Sequence, residues 1–182
     1  MIILPSIDSF LKVTFHEQQK PLVICDIDHT FIRPDIDFEN ALSFLRGIQP
    51  YEGPTFLYEH AIRFIESAYN AGFLRQSDPE GFQAMLQTIE RLDGKLIFLT
   101  ARSQMFHNKT VRDLMKAGLE NPTRFEIHYT SNLVTKGQYL QNLGIVSQFE
   151  HVSFIDDNML FIESVHSIFP QINCYQFKFK TG

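Results

Sequence analysis

Two pairs of aspartates stand where apolar runs of the sequence end. Asp26 and Asp28 follow the run LVIC, and Asp156 and Asp157 follow the run VSFI. Aspartate is depleted within strands, so we expect both pairs in loops at the carboxyl ends of strands, where open α/β sheets bind ligands. If the two strands are neighbours, the carboxylates converge, which is unfavourable unless protons or a cation neutralise them. Oxygen ligands favour a hard cation, and a few carboxylates with waters are the usual arrangement around Mg²⁺. The alternatives are a polar turn after the first run and two unrelated surface pairs on separated strands.

A threonine ends a third apolar run and could form part of an anion site. Thr100 is followed by Ala101 and Arg102. A hydroxyl together with backbone N–H groups at the start of a helix forms a natural anion seat. The alternative is that Thr100 or Ser103 simply caps the helix that follows.

A lysine stands at an unusual place for its charge. Thr135 is typical of a helix N-cap, which places Lys136 and Gly137 in the first turn of a helix. The helix dipole disfavours a cation there, and glycine is a poor helix former. Because local rules broken together are expected at functional sites, we expect Lys136 to reach the sheet edge, offset carboxylate repulsion and bind a phosphate. The alternative is a solvated lysine.

The strands that must position these residues are short apolar runs. The predicted strands cover residues 22–25, 96–99, 125–130, 152–155 and 172–179. The first, second and fourth are continuous enough to be covered on both faces, as parallel sheets require. The last alternates and carries Lys178 and Lys180, which predicts an edge strand guarded by lysines.

Helical patterns separate these strands. Start and stop signals predict helices from Ser77–Pro79 towards Gly94, over residues 103–117, over residues 135–143 and over residues 158–169. We also expect a leading helix at about residues 9–18. Alternation of strands and helices predicts an α/β fold, namely a Rossmann-like three-layer sandwich with a mostly parallel sheet.

One segment interrupts the alternation. Residues 31–76 contain several prolines and glycines, followed by a helical pattern over residues 56–69. We therefore expect residues 1–30 and 77–182 to form a Rossmann-like catalytic core and residues 31–76 to form a small, mainly helical cap insertion.

Composition excludes several classes of protein. The 182 residues include 21 acidic residues against 16 lysines and arginines, a net charge of −5, without the clustered positive charge that grips nucleic acid. Cys25 and Cys174 lack zinc-site spacing and are expected as buried thiols, with a single disulfide as the alternative. No apolar run approaches the roughly 20 residues that span a bilayer, and the amino terminus lacks a signal-peptide pattern. A soluble, cytoplasmic protein is expected, with non-classical export left open.

Read in chain order, these motifs resemble the four signature motifs of the haloacid dehalogenase superfamily. They stand here as Asp26-Ile27-Asp28-His29-Thr30, Thr100, Lys136 and Asp156-Asp157. The resemblance covers roughly residues 21–169, and residues 31–76 stand where that superfamily places its first cap insertion. The phrases LTARS, TKG and FIDDN also resemble a little-characterised bacterial branch of the superfamily.

The resemblance implies a phosphatase that forms an aspartyl-phosphate. Asp26 would be the nucleophile, and Asp28 would protonate the leaving oxygen and then activate water. Thr30 would support the Asp28 loop. The phosphoryl group would be held by a seat formed by Thr100, the N–H of Ala101 and Arg102. Lys136 would bridge Asp26 and the phosphoryl group.

The resemblance also implies the cofactor Mg²⁺. Asp26, the backbone carbonyl of Asp28 and Asp156 would hold the ion, with Asp157 binding it directly or through water. The acid at position 28 favours phosphate-ester hydrolysis over carbon–halogen cleavage, because dehalogenases of the superfamily depart from an acid there. His29 is expected to point away from the site on the strand pleat.

The small cap suggests an open site that accepts a small phosphate ester or an exposed phosphate on a larger molecule. Two alternatives remain open. One is a phosphotransferase or phosphomutase of the same superfamily, and the other is a non-catalytic interaction protein that retains the fold.

Overall fold

The computed structural model describes residues 2–4 and 20–178. Within these residues the strands are β1 (Ile2–Leu4), β2 (Leu22–Cys25), β3 (Ile32–Pro34), β4 (Leu74–Gln76), β5 (Lys95–Thr100), β6 (Glu126–Tyr129), β7 (Val152–Asp156) and β8 (Asn173–Phe177). The α-helices of the same residues are α1 (Phe38–Ile48), α2 (Pro54–Ala71), α3 (Pro79–Arg91), α4 (His107–Lys116), α5 (Lys136–Leu143) and α6 (Met159–Ile168).

The main sheet is parallel and has β2 near its centre. Its strand order over the described residues is β1-β8-β7-β2-β5-β6, and each neighbouring pair is parallel. All four residues of β2 are fully buried. Such burial is expected for a parallel strand that helices cover on both faces.

Alternate side chains of the central strands enter two separate cores. Val23 and Phe98 pack in a core with α3 and α4. Ile24 and Ile97 pack in a second core with α5 and α6 on the opposite face. The molecule is therefore a three-layer α/β sandwich, and the predicted fold class is confirmed.

The helices begin at the polar residues that the sequence indicates. The Asp78 side chain accepts a hydrogen bond from the Gly81 N–H at the start of α3. Thr135 caps α5 in a reciprocal capping box with Gln138, and Asn158 caps α6. These side chains satisfy backbone N–H groups that lack partners within the helix.

The carboxyl-terminal strand does not lie where the sequence predicts. β8 pairs with β7 on one side and with β1 on the other, so the prediction of an edge strand was wrong. The reason is that residues 2–4, which carry no strong strand signal, add a further strand beyond it. Lys180 and the predicted helix at residues 9–18 lie outside the described residues.

The residues between β2 and α3, which we call the inserted unit, form a two-stranded ribbon and two helices, and Ile32 and Leu74 of the ribbon lie in the core that contains Val23. β3 and β4 pair antiparallel, and α1 and α2 pack through Ala41, Leu45, Leu57 and Ala61. The sequence predicts α2 but neither α1 nor the two-stranded ribbon. Both ends of the unit meet, since the Ser77 N–H donates to the Phe31 carbonyl at 2.9 Å.

Two further observations concern the cysteines and the length of the helices. Cys25 and Cys174 are free and buried, as predicted. Among the helices of the described residues, none combines the length and apolar character needed to cross a membrane.

Candidate active site

The strand order brings the acidic motifs together. β2 is hydrogen-bonded to β7 on one side and to β5 on the other. The residues at the carboxyl ends of these strands, Asp26, Thr100 and Asp156, therefore share one edge of the sheet. The alternative of separated surface pairs is excluded, because the Asp26 N–H donates to the Ile155 carbonyl at 2.9 Å.

Lys136 joins the two acidic motifs. Its Nζ donates to Asp26 Oδ1 at 2.5 Å and to Asp156 Oδ2 at 2.7 Å. The lysine is fully buried, and its ammonium lies 4.7 Å from the centre of the Phe161 ring. Burial alone would lower the pKa of Lys136, but the two carboxylates outweigh burial and raise it. The alternative of a solvated lysine is therefore wrong.

The glycine beside this lysine has a packing role. A Cβ at Gly137 would lie 2.0 Å from the Ser164 carbonyl oxygen, so only glycine allows α5 to approach α6 this closely. In the sequence, Gly137 and Lys136 together indicate a functional site. The structure instead explains the glycine by helix packing, while Lys136 reaches the site.

Three carboxylates form a cluster that one ammonium does not balance. Asp26, Asp156 and Asp157 each place an oxygen within 4.8 Å of the others. Burial outweighs the lowering effect of Lys136 and raises the pKa of Asp26 to about 6. Burial and the charge of Asp26 together raise the pKa of Asp156 to about 8. Burial also raises the pKa of Asp157. Carboxyl oxygens this close together could hold a metal ion, which would replace the protons that the raised pKa values favour.

Backbone and hydroxyl groups orient the cluster. The Asp157 N–H donates to the buried Thr30 hydroxyl at 2.9 Å, and the Asn158 N–H donates to Asp156 Oδ1 at 2.9 Å. Thr30 thus connects the loop after β2 to the loop after β7, whereas the resemblance implies only support of the Asp28 loop.

Asp28 is held by a different set of partners. Arg102 donates from Nη2 to Asp28 Oδ1 at 2.7 Å and from Nε to Asp28 Oδ2 at 2.9 Å. The Tyr69 hydroxyl also donates to Asp28 Oδ1. Burial by itself would raise the pKa of Asp28, but the hydrogen bonds and positive charge of Arg102 outweigh it and lower the pKa. Asp28 is therefore an oriented carboxylate in this arrangement.

The predicted anion seat is followed by a helical segment at the expected place. A short 3-10 turn over Gln104–Phe106, with Ser103 at its N-cap position, leads directly into α4 at His107. Thr100 ends β5 three residues before that cap, and its role in binding phosphate stays a prediction. The Thr100 hydroxyl accepts from the Arg102 N–H at 3.2 Å and lies 3.4 Å from Asp28 Oδ2. Ala101, between them, is half-buried.

His29 does not follow the strand pleat. Its φ of 59° places it in a left-handed turn, and its ring stacks on Tyr69 with centroids 5.3 Å apart. The pleat-based expectation was wrong because β2 has already ended at Cys25. The exposed ring lies beside the tyrosine that contacts Asp28.

Two residues of the site were missed by sequence reasoning. Tyr69 lies in α2, and no local pattern distinguishes it from other helical tyrosines. Asp113, which is buried on α4, accepts a hydrogen bond from Arg102 Nη1 at 2.9 Å. A signal for Asp113 did exist, since it is an acid beside Leu114 on the apolar face of the predicted helix at residues 103–117.

Comparison with known proteins extends the fold assignment. No protein-family model matches the chain, and no curated protein sequence matches it. Among solved structures, the chain is similar to a hydrolase from Streptococcus pneumoniae TIGR4, at 14% identity and a TM-score of 0.58. The match covers 90% of this chain and 95% of that one. An identity this low shows a shared fold, so any assignment of a reaction rests on the side chains described above.

Proposed function

We propose that this chain is an Mg²⁺-dependent phosphatase of the haloacid dehalogenase type, which hydrolyses a phosphate monoester through an aspartyl-phosphate on Asp26. The observation that carries the proposal is the buried Lys136, which bridges Asp26 and Asp156 beside Asp157 at the carboxyl edge of the sheet. These groups come from three separate elements, and a merely structural ion pair would not need the third carboxylate.

The reaction divides into two transfers. Asp28 is ionised in the free protein, so it first takes up a proton from solvent, which the approach of an anionic substrate favours. In the first transfer, an oxygen of Asp26 attacks phosphorus, the bond from phosphorus to the ester oxygen breaks, and Asp28 gives that proton to the departing oxygen. In the second, Asp28 takes a proton from water, and the water oxygen attacks phosphorus and releases the Asp26 carboxylate. Each proton and each bond is thereby accounted for.

The other residues bind and orient. Lys136 holds the Asp26 carboxylate in place, and the Thr100 hydroxyl with the Ala101 N–H would bind the phosphoryl oxygens. Asp26, Asp156, Asp157 and the Asp28 carbonyl would hold Mg²⁺. When bound, the ion neutralises charge between the nucleophile and an anionic substrate.

Arg102 has a less direct relation to the phosphoryl group. Its Nε, Nη1 and Nη2 groups already donate to protein acceptors. Arg102 could serve as a phosphate ligand, the role expected from the resemblance, only by giving up part of these contacts.

Phosphate release from a panel of esters tests the proposal. The panel contains p-nitrophenyl phosphate, glycerol phosphate, a sugar phosphate and a phosphopeptide, which covers small esters and exposed phosphates. We expect phosphate release that stops on chelation and returns when Mg²⁺ is added. Release that survives chelation would contradict the mechanism. Transfer to glycerol in excess of hydrolysis would instead support a phosphotransferase.

Metal binding should also change stability in a pH-dependent way. Asp26 and Asp156 have folded-state pKa values above those of the unfolded chain, so their contribution to metal-free stability is full at low pH and is lost as pH rises towards 6 and then 8. Mg²⁺ requires the deprotonated carboxylates and should offset this loss. At about one hundred times its dissociation constant, a ligand adds about 2.7 kcal/mol.

Thermal unfolding with and without Mg²⁺ between pH 5 and pH 8 measures this effect. We expect the increase in Tm caused by Mg²⁺ to grow as pH rises. A shift that is the same at every pH, or that persists in an Asp156→Asn variant, would contradict metal binding at these carboxylates.

A further inference from the structure

The guanidinium of Arg102 contacts four side chains, one of which is Asp28, the proposed general acid and base. Arg102 contacts Asp28 as described, Tyr69 Oη at 3.4 Å, Thr110 Oγ1 at 3.2 Å and Asp113 Oδ2 at 2.9 Å. These partners come from the loop after β2, from α2 and from α4. The contacts therefore tie the catalytic loop both to a helix of the core and to a helix of the inserted unit.

Both oxygens of Asp28 are held, by partly different donors. Oδ1 accepts from the Tyr69 hydroxyl and from Arg102 Nη2 at 2.7 Å and Nε at 3.1 Å. Oδ2 accepts from Arg102 Nε at 2.9 Å and from the Thr100 hydroxyl at 3.4 Å. Oδ2 is therefore the oxygen on the side of the proposed phosphoryl seat, while Oδ1 lies on the side of Tyr69.

The far end of the guanidinium is anchored as well. Asp113 is a buried acid whose side chain is 4% exposed, and it also accepts from Lys109 Nζ at 2.6 Å. Burying a carboxylate on a packed helix is unfavourable unless its partners compensate. Its placement opposite Asp28 fixes the planar fork of Arg102, which is suited to gripping a carboxylate with two nitrogens.

We propose that Arg102, Tyr69 and Asp113 are positioning residues that hold the Asp28 carboxyl group so that its Oδ2 is directed at the leaving oxygen of the substrate. The inference rests on the proposed function and extends it to residues outside the four motifs. It also gives Arg102 a role other than phosphate binding, because its donors are used by Asp28 and Asp113. The inserted unit then contributes Tyr69 to the chemical step.

The test exploits the need for a proton on the leaving group. An alkyl leaving oxygen, as in glycerol phosphate, requires protonation by Asp28, whereas p-nitrophenolate departs without a proton. Because kcat/KM reports the steps through the first transfer, it isolates this requirement from the later hydrolysis of the aspartyl-phosphate. The variants are Tyr69→Phe, which removes the hydroxyl that donates to Asp28, and Asp113→Asn, which removes the negative charge opposite Arg102. Both keep the shape of the side chain.

We expect each variant to lower kcat/KM for glycerol phosphate by about 10- to 100-fold, within the range of general acid catalysis. The fall for p-nitrophenyl phosphate should stay within about threefold, and inhibition by inorganic phosphate should be unchanged. Tyr58→Phe removes a hydroxyl from the same helix, and Lys109→Met removes the other cation from Asp113. Both controls should retain the wild-type ratio between the two esters.

The outcomes separate this inference from the proposed function. Equal losses for the two esters, or weaker inhibition by inorganic phosphate, would show a role in phosphoryl binding or in folding and would overturn the inference alone. An unchanged kcat/KM for glycerol phosphate would overturn it too. If wild-type protein with Mg²⁺ released phosphate from neither ester, the proposed function would fall, and this inference with it.

Discussion

Replacing Lys136 with methionine is expected to destabilise the fold by about 3–5 kcal/mol, the range found when one partner of a buried ion pair is removed. The variant leaves Asp26 and Asp156 facing each other in a buried place without the ammonium that now contacts both. Urea unfolding at neutral pH without metal measures the loss. The proposed phosphatase activity should fall as well, because Asp26, the proposed nucleophile, loses the ammonium that holds it.

A surface pair supplies the matched control. Lys95 and Glu126 form an equally short contact of 2.6 Å, but their side chains are 37% and 52% exposed. Lys95→Met should therefore cost only about 0.2–1 kcal/mol. The double variant Lys136→Met/Asp156→Asn removes one of the uncompensated charges and should recover part of the lost stability. A loss below about 1 kcal/mol for Lys136→Met, or no recovery in the double variant, would contradict the charge balance inferred for the cluster.

Replacing Asp26 with asparagine is expected to reduce phosphate release by at least about a thousandfold while leaving the fold intact. The amide cannot attack phosphorus, so the covalent route is closed, and loss of a nucleophile removes most of the rate gain. Stability should change little or increase, because burial outweighs Lys136 and raises the pKa of Asp26, and Lys136 keeps Asp156 as a partner. Initial rates with p-nitrophenyl phosphate measure the loss of activity, and thermal unfolding measures the change in stability.

An exposed aspartate separates the effect from a general change of charge. Asp93 is exposed, and its carboxylate pairs with Lys20 Nζ at 3.4 Å. Asp93→Asn should therefore leave both the rate of phosphate release and the stability close to those of wild type. Phosphate release that persisted in Asp26→Asn would rule out Asp26 as the nucleophile. Biological activity that persisted without phosphate release would favour an interaction protein that retains the fold.

Sequence reasoning predicts the parts of this molecule that local patterns encode. The continuous apolar runs before Asp26 and Asp156 predict buried strands, and caps such as Asp78 and Thr135 mark the helix starts. Since parallel strands place their carboxyl ends at one edge, convergence of the acidic motifs also follows once the strands are neighbours. These features depend on residue type and spacing within a few turns or strands.

The parts that were missed depend on contacts between distant segments. β1 is three residues long and becomes a strand only through pairing with β8. Tyr69 acquires its role because α2 reaches the loop that carries Asp28, 41 positions away in the chain. Gly137 suggests function in the sequence, but the nearby Ser164 carbonyl explains it. In each case the missing information is a contact with a residue that is distant in the sequence.

The segment between Phe31 and Ser77 leaves the main fold and returns to it at one point, because the Ser77 N–H donates to the Phe31 carbonyl. The ribbon at this junction is also part of the core, since Ile32 and Leu74 lie in the same buried cluster as Val23 and Phe98. A chimera that replaced the segment would have to keep these apolar positions, and it would remove Tyr69 from Asp28. We therefore expect a change of this segment to alter the surroundings of Asp28 together with any change in selectivity.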